Sequence, residues 1–326
     1  MAFATPILFI VFNRPNHTRK VLERIREIKP NFLFVAADGP RRSHVGDADK
    51  CNEVREIIKR GIDWPCEIKT QFRDENLGCG IGPAQAITWF FDNVEEGIIL
   101  EDDCLPGISF FNFCSTLLNY YRNDEQIMHI GGSNFQNQKK KVDYSYYFSA
   151  YSHNWGWATW KNRWRKYNYS IGNLDRAKLS GDLIKYGLNK VEIEFWVKVF
   201  EEVSKAKTFV TWDYQWLFAI WTNHCLSIVP SVNLVRNIGF DEEGTRTREA
   251  HSYLSIPVDC ISNVKHPPTR IINFKADHYT FDYCYLMKPT YLNRIISFLS
   301  YLLKNFDKWL YLKKIKIVLS RLDRKG

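Results

Sequence analysis

Ile98-Ile99-Leu100-Glu101-Asp102-Asp103-Cys104-Leu105-Pro106 decides how this chain is read. A short apolar run reads as a buried strand, and here it runs straight into three acids. Adjacent carboxylates repel one another and are costly unless a cation or hydrogen bonds compensate. Mg²⁺ and Mn²⁺ prefer oxygen ligands and are commonly held by one or two carboxylates together with substrate phosphates. The triplet therefore points to Mn²⁺ or Mg²⁺ gripping a diphosphate, which such an ion stabilises as a leaving group. The competing reading is an acidic surface turn.

Upstream, strand and helix patterns alternate. Residues 7–12 form an apolar run broken by Asn13-Arg14-Pro15-Asn16, and Val21, Leu22, Ile25 and Ile28 follow at helical spacing. Residues 32–37 read as a second strand ending in the turn Asp38-Gly39-Pro40. A polar helix is expected over 49–60 and a third strand over 66–72. A glycine-rich loop, Asn76-Leu77-Gly78-Cys79-Gly80-Ile81-Gly82, then leads into a helix expected from Pro83 to about Asn93. Alternation with short links predicts an α/β layered domain with a mainly parallel, Rossmann-like sheet flanked by helices. Such sheets bind ligands at the carboxyl ends of their strands. That rule brings Arg14, Asp38, Asn76, Gly78, Glu101, Asp102 and Asp103 to one rim.

Past Met128 the pattern changes to dense Trp, Tyr and Asn with less regular helices. The chain divides into a nucleotide-sugar-binding half over 1–130, an acceptor-binding half of the same unit over 131–285, and a tail over 286–326. In the tail, Leu292, Ile295, Ile296, Leu299, Leu303, Phe306 and Leu310 share a helical face. Ten Lys/Arg lie between Lys288 and Lys325 against only Asp307 and Asp323, so much of the net charge of +9 is concentrated there. A basic amphipathic helix fits an anionic membrane surface; docking on the protein is the alternative. The expectation is a cytoplasmic enzyme, peripheral on the inner face of the cell membrane.

With 45% apolar and 25% charged residues the chain reads as globular. No basic surface is spread over the fold, which excludes nucleic acid as a partner. The eight cysteines form no CxxC pair, so zinc ribbons and thioredoxin-like redox motifs are set aside and free thiols expected. No apolar run approaches the ~20 residues that span a bilayer, and no leader is expected.

The segment 98–113, with its acidic triplet, short loop and paired Phe110-Phe111, resembles the metal-binding segment of the N-acetylglucosaminyltransferase I-like family. The resemblance implies a GT-A fold with an acceptor-side extension, Asp103 as direct metal ligand and Asp102 near the ribose and metal shell. Phe12-Asn13-Arg14 and Ala36-Ala37-Asp38-Gly39 resemble its first two strand ends, which implies that Arg14 contacts the nucleotide and Asp38 reads uracil. Trp212-Asp213-Tyr214-Gln215-Trp216 resembles its Trp-Asp-x-Trp segment with one extra residue, and implies Asp213 as catalytic base. Gly156-Trp157 resembles the segment that shapes its acceptor side, and Trp155 and Trp212 are counted with it as acceptor contacts. The family has a base-contacting His where this chain has Gly82-Pro83-Ala84-Gln85. Together these imply an inverting transferase moving GlcNAc or another hexose from a UDP-sugar to a hydroxyl of a glycan or lipid-linked acceptor, of the bacterial surface-polysaccharide kind.

By its composition, the stretch 239–248, with glycines near both ends and Arg246, reads either as a lid over the donor phosphates or as an exposed loop. On the motif alone, Asp213 also suits a helix cap or a pairing with an Arg. Two other functions stay open. A sugar-phosphate nucleotidyltransferase would share the acidic rim, but usually carries a long glycine-rich loop with Arg and Lys after the first strand. A non-catalytic carbohydrate- or membrane-binding relative would keep only the fold.

Overall fold

The computed structural model describes residues 3–136, 143–172, 174–205, 211–240 and 256–286. The chain forms two compact units, Met1–His278 and Tyr279–Gly326. The described part of the second is a π-helical stretch, Phe281–Tyr285, with its flanking residues. The expected tail helix and Arg246 lie outside the described residues. Among the described residues, no helix is long and apolar enough to cross a membrane.

The first unit opens as strand and helix in alternation: β1 (Ile7–Val11), α1 (Pro15–Ile28), β2 (Phe32–Ala37), α2 (Asp47–Gly61), β3 (Glu67–Phe72), α3 (Gly78–Asn93) and β4 (Glu96–Glu101). The chain continues through β5 (Cys104–Pro106), α4 (Ile108–Tyr120), β6 (Ile127–Gly131), β7 (Tyr146–Ser149), β8 (Trp157–Trp160), α5 (Lys161–Trp164), α6 (Arg176–Lys185), α7 (Lys190–Lys205), α8 (Asp213–Thr222), β9 (Leu226–Pro230), β10 (Val235–Asn237) and α9 (Phe274–Thr280). Eight strands form one sheet in the order β3-β2-β1-β4-β8-β6-β9-β7. β1 to β4 are mutually parallel, β6 is parallel to β9, and β8 and β7 run antiparallel to their neighbours. This is an α/β fold with a large, mostly parallel sheet flanked by helices. β8 lies between β4 and β6, so both sequence halves share one sheet.

Burial explains the strand patterns. Ile7, Leu8 and Phe9 of β1 and Ile98, Ile99 and Leu100 of β4 are all buried, as expected when helices cover both faces of a parallel sheet. β3 is an edge strand whose Glu67, Lys69 and Thr70 are exposed, a composition that discourages pairing with a second chain. α3 begins at Gly78, five residues before the proline expected to start it. The Asp38 carboxylate, from beyond β2, accepts the Leu77 and Gly78 amides at 3.0 and 3.1 Å and so caps the helix from outside its own sequence. Such a cap is invisible to local pattern.

The tryptophan-rich stretch builds the core between α5, α8 and the sheet. Trp157 stacks on Trp212 at 5.6 Å, and Trp164 stacks on Tyr167 at 4.2 Å. The Trp216 indole N–H donates to Nδ1 of buried His129, whose Nε2 donates to the His153 carbonyl, fixing a neutral tautomer. Burial pushes His129 down to about 3.

Arg163, also buried, donates to the carbonyls of Tyr121, Arg122 and Ile127 and lies 4.4 Å over the Trp160 ring. It holds the end of α4 on the sheet. Replacing it by Met removes a buried donor from all three carbonyls, of which Tyr121 keeps the Asp124 amide, and a buried carbonyl left unsatisfied costs about 1–3 kcal/mol. Urea unfolding of R163M is therefore expected to show a loss of about 3–5 kcal/mol; a loss below about 1 kcal/mol would refute this role.

Candidate active site

From β1 the chain moves outward to β2 and β3, then returns to lay β4 on the other side of β1. Strand order therefore reverses between β1 and β4, and the crevice outside their carboxyl ends is where an open α/β sheet binds ligands. Arg14 follows β1; the acidic triplet closes β4, with Ile10 in register with Glu101. Arg14 Nη1 donates to Asp102 Oδ1 at 3.2 Å and to Asp103 Oδ2 at 2.8 Å, joining the two strand ends across the crevice. Asp102 is buried, and its other oxygen accepts the Phe12 amide at 3.1 Å. Asp103 is more open, with a side chain 16% exposed.

Charge in this corner is unbalanced. Burial, then the carboxylates of Asp103, Asp102 and Asp213, push Glu101 up to about 8. Burial pushes Asp102 up to about 6, against the pull of Arg14. For Arg14, burial opposes the charge, but the attraction of Asp102 and Asp103 outweighs it and holds the guanidinium above its ordinary range.

Two clefts meet here. The first, about 400 Å³, has an apolar floor of Ile10, Val11 and Ala36 and a rim of Arg14, Asp38, Arg41, Arg73, Asn76, Gly78, Glu101 and Asp102. Asp38 lies in it, with a pKa raised by burial against the pull of the Leu77 amide and its neighbours. Asn76 Nδ2 donates to the Gly39 carbonyl at 2.9 Å and so shapes the wall. Asp47 receives Arg41 and Asn13, tying the loops after β2 and β1 together. The Arg41 hydrogen bond, against the burial that opposes it, draws the Asp47 carboxyl down to about 2.

The second cleft, about 260 Å³, is lined by Arg14, Cys79, Glu101, Asp103, Asn154, Trp155, Thr211, Trp212, Asp213, Asn237, Gly239 and Phe240. Arg14, Cys79 and Glu101 belong to both clefts. Asp213 is the first residue of α8. Its Oδ1 accepts the Thr211 hydroxyl and the Tyr214 amide, and its Oδ2 has no hydrogen-bond partner among the described residues. The β5–β10 ribbon brings Ile238 N to the Asp103 carbonyl at 2.8 Å. Gly239 follows, where a Cβ would stand 2.5 Å from Asp103 Oδ2, so only glycine fits.

Of the expected acceptor contacts, Trp155 and Trp212 line this cleft, though Trp212 is largely buried. Trp157 is a correction: it is 1% exposed, packed between Trp212 and His129, and no sugar ring reaches its face. Gly156 is also buried, at φ +65°, with no room for a Cβ beside Val235 and Leu100. Arg41, Asp47, Arg73, Asn154 and Thr211 were missed in the sequence. Arg73 alone had a usable signal, since it directly follows a strand, as Arg14 and Asp38 do.

Among the described residues no group of three His, Cys, Asp or Glu side chains could hold a metal ion by itself. Asp102 and Asp103 together outweigh the single positive charge of Arg14, and their oxygens fit a hard cation that completes its shell with substrate phosphate. Asp103, the more open carboxylate, and Asp102 would hold it.

No protein-family model and no curated protein matches the sequence. Among solved structures, the chain is similar to a UDP-glucose pyrophosphorylase bound to UDP-glucose, at 10% identity and TM-score 0.33 over 70% of this chain and 90% of that one. It is similar to 4-diphosphocytidyl-2C-methyl-D-erythritol synthase from Anaerococcus prevotii, at 8% identity and TM-score 0.29 over 67% and 98%. A third is a putative glucose-1-phosphate thymidylyltransferase from Bacillus anthracis, at 12% identity and TM-score 0.27 over 59% and 83%. Likeness this distant does not assign a substrate or a reaction to this chain.

The raised Glu101 pKa has a thermodynamic consequence. A carboxyl shifted up from 4.5 to about 8 favours folding fully below 4.5, and that contribution is lost as pH rises through about 8. In thermal melts without divalent ions, E101Q should therefore gain stability relative to wild type as pH goes from 5 to 8.5. A difference that stays constant over that range would show Glu101 to be ionised at an ordinary pKa.

Proposed function

We propose that this chain is a metal-dependent glycosyltransferase that moves a sugar from a nucleotide-diphospho-sugar to a hydroxyl acceptor. The observation that carries the reading is the meeting of the two clefts at Arg14 and Glu101. A transferase needs two ligand sites that share the reacting atoms, and an acidic corner at their junction suits a divalent cation that would take up the charge of the departing diphosphate. The resemblance of the 98–113 and 212–216 segments to the N-acetylglucosaminyltransferase I-like family supports the same reading, with a UDP-sugar donor and a glycan or lipid-linked acceptor. Against a nucleotidyltransferase stands the link after β1, where only Phe12, Asn13 and Arg14 precede α1.

In this reading the donor lies in the larger cleft, its nucleotide over Ile10, Val11 and Ala36 and its diphosphate toward Arg14 and the triplet. Asp103 and Asp102 would hold a divalent ion, which when bound would supply Lewis-acid neutralisation of the leaving diphosphate. The acceptor enters the smaller cleft against Trp155. Thr211 and the Tyr214 amide hold Asp213 by one oxygen, which leaves Oδ2 to take the acceptor proton. Attack from that side, opposite the diphosphate, inverts the anomeric carbon.

The test is release of nucleoside diphosphate from a panel of nucleotide sugars with Mn²⁺ and an acceptor. D213N should bind donor as wild type does and lose about 10²- to 10⁴-fold in kcat; unchanged turnover would remove Asp213 from the chemistry. Pyrophosphate production from a nucleoside triphosphate and a sugar 1-phosphate, without transfer from any nucleotide sugar, would establish the nucleotidyltransferase instead.

The basic tail is read as the attachment to an anionic membrane. The full chain is expected to sediment with phosphatidylglycerol vesicles at low salt and to be released by high salt. Equal sedimentation with neutral vesicles would exclude charge as the cause.

A further inference from the structure

Resting on the nucleotide-sugar reading above, the geometry points to Arg73 as the residue that reads the donor's base, selecting bases that present a carbonyl oxygen at C4 or C6 (uracil, thymine and guanine) over those that present an amino group there. Three arginines line the larger cleft. Arg14 is held by Asp102 and Asp103, and Arg41 by Asp47. Among the described residues, Arg73 has no carboxylate within salt-bridge distance. Its Nη2 donates to Gln71 Oε1 at 2.9 Å and its Nη1 makes a long contact of 3.5 Å to the Gly82 carbonyl. A guanidinium has five N–H donors, so most of this fork is unused.

Its place along the rim sets what it meets. Arg73 follows β3 and the triplet ends β4, with β2 and β1 between them. Three spacings of about 4.8 Å separate β3 from β4, roughly 14 Å, the reach of an extended nucleoside diphosphate from base edge to terminal phosphate. With the diphosphate at the triplet, the base edge lies at β2 and β3.

Asp38, the carboxylate at that end, is already occupied. Gly39 N, Leu77 N and Gly78 N make four contacts of 3.0–3.1 Å with its two oxygens. A carboxylate has about four lone-pair sites, so Asp38 caps α3 and has little left for a base. The guanidinium beside it only donates, pairing with carbonyl oxygen and opposing an amino group.

The experiment measures the affinity of wild type, R73M and R73K for UDP, GDP, CDP and ADP with Mn²⁺, by calorimetry. Wild type should prefer UDP or GDP to CDP and ADP. R73M should lose about 10- to 100-fold in affinity for the preferred nucleotide, with little change for CDP and ADP. R73K, which keeps the charge but not the fork, should fall between and guards against misfolding of R73M. With the preferred nucleotide sugar, KM should rise while kcat holds. Equal losses for all four nucleotides, an unchanged ranking, or a wild type that prefers CDP or ADP would overturn the assignment and leave the nucleotide-sugar reading standing. Binding of none of the four would overturn both.

Discussion

Arg14 bridging Asp102 and Asp103 is the contact on which the site depends. The repulsion among three consecutive acids at the end of a buried strand is relieved by one guanidinium from the neighbouring strand end. Removing one partner of such a buried pair leaves an uncompensated charge, typically at 3–5 kcal/mol. The Phe12 amide on Asp102 locks the same junction through the backbone. The crevice at the switch point thus has fixed walls and excess negative charge, and its geometry precedes any ligand.

The remaining architecture positions groups around that corner. Asp38 spends its carboxylate on the first amides of α3, which holds the glycine-rich loop against β2. Asp47 ties the loops after β1 and β2. On the other side, the tryptophan core seats α8 so that Asp213 starts it beside the triplet, and the β5–β10 ribbon lays Gly239 on Asp103. Each polar residue does a structural task with some atoms and faces a cleft with others. That division explains why Asp102 stitches strands while Asp103 stays open.

Strand ends were the most legible feature. The apolar runs of β1, β2 and β4 are continuous because both faces of the sheet are covered, so a one-dimensional pattern sufficed to find them, and Arg14, Asp38 and the triplet followed from their position just after those runs. The start of α3 was misread because its cap comes from Asp38, some forty residues away. Trp157 was misread because tryptophan suits a sugar platform and a core equally well, and only its neighbours decide which. Arg41 and Asp47 were missed because their value lies in a mutual contact across a loop.

The sequence by itself determined the alternation of strands and helices and the chemistry at their carboxyl ends, because hydrophobic period and strand termination are local properties. Only the tertiary structure decided that strand order reverses between β1 and β4, that β8 inserts between the two halves, and that Arg14 rather than bulk water faces the triplet. Those outcomes depend on which distant segments pack together, and they convert a row of acids into a corner between two clefts.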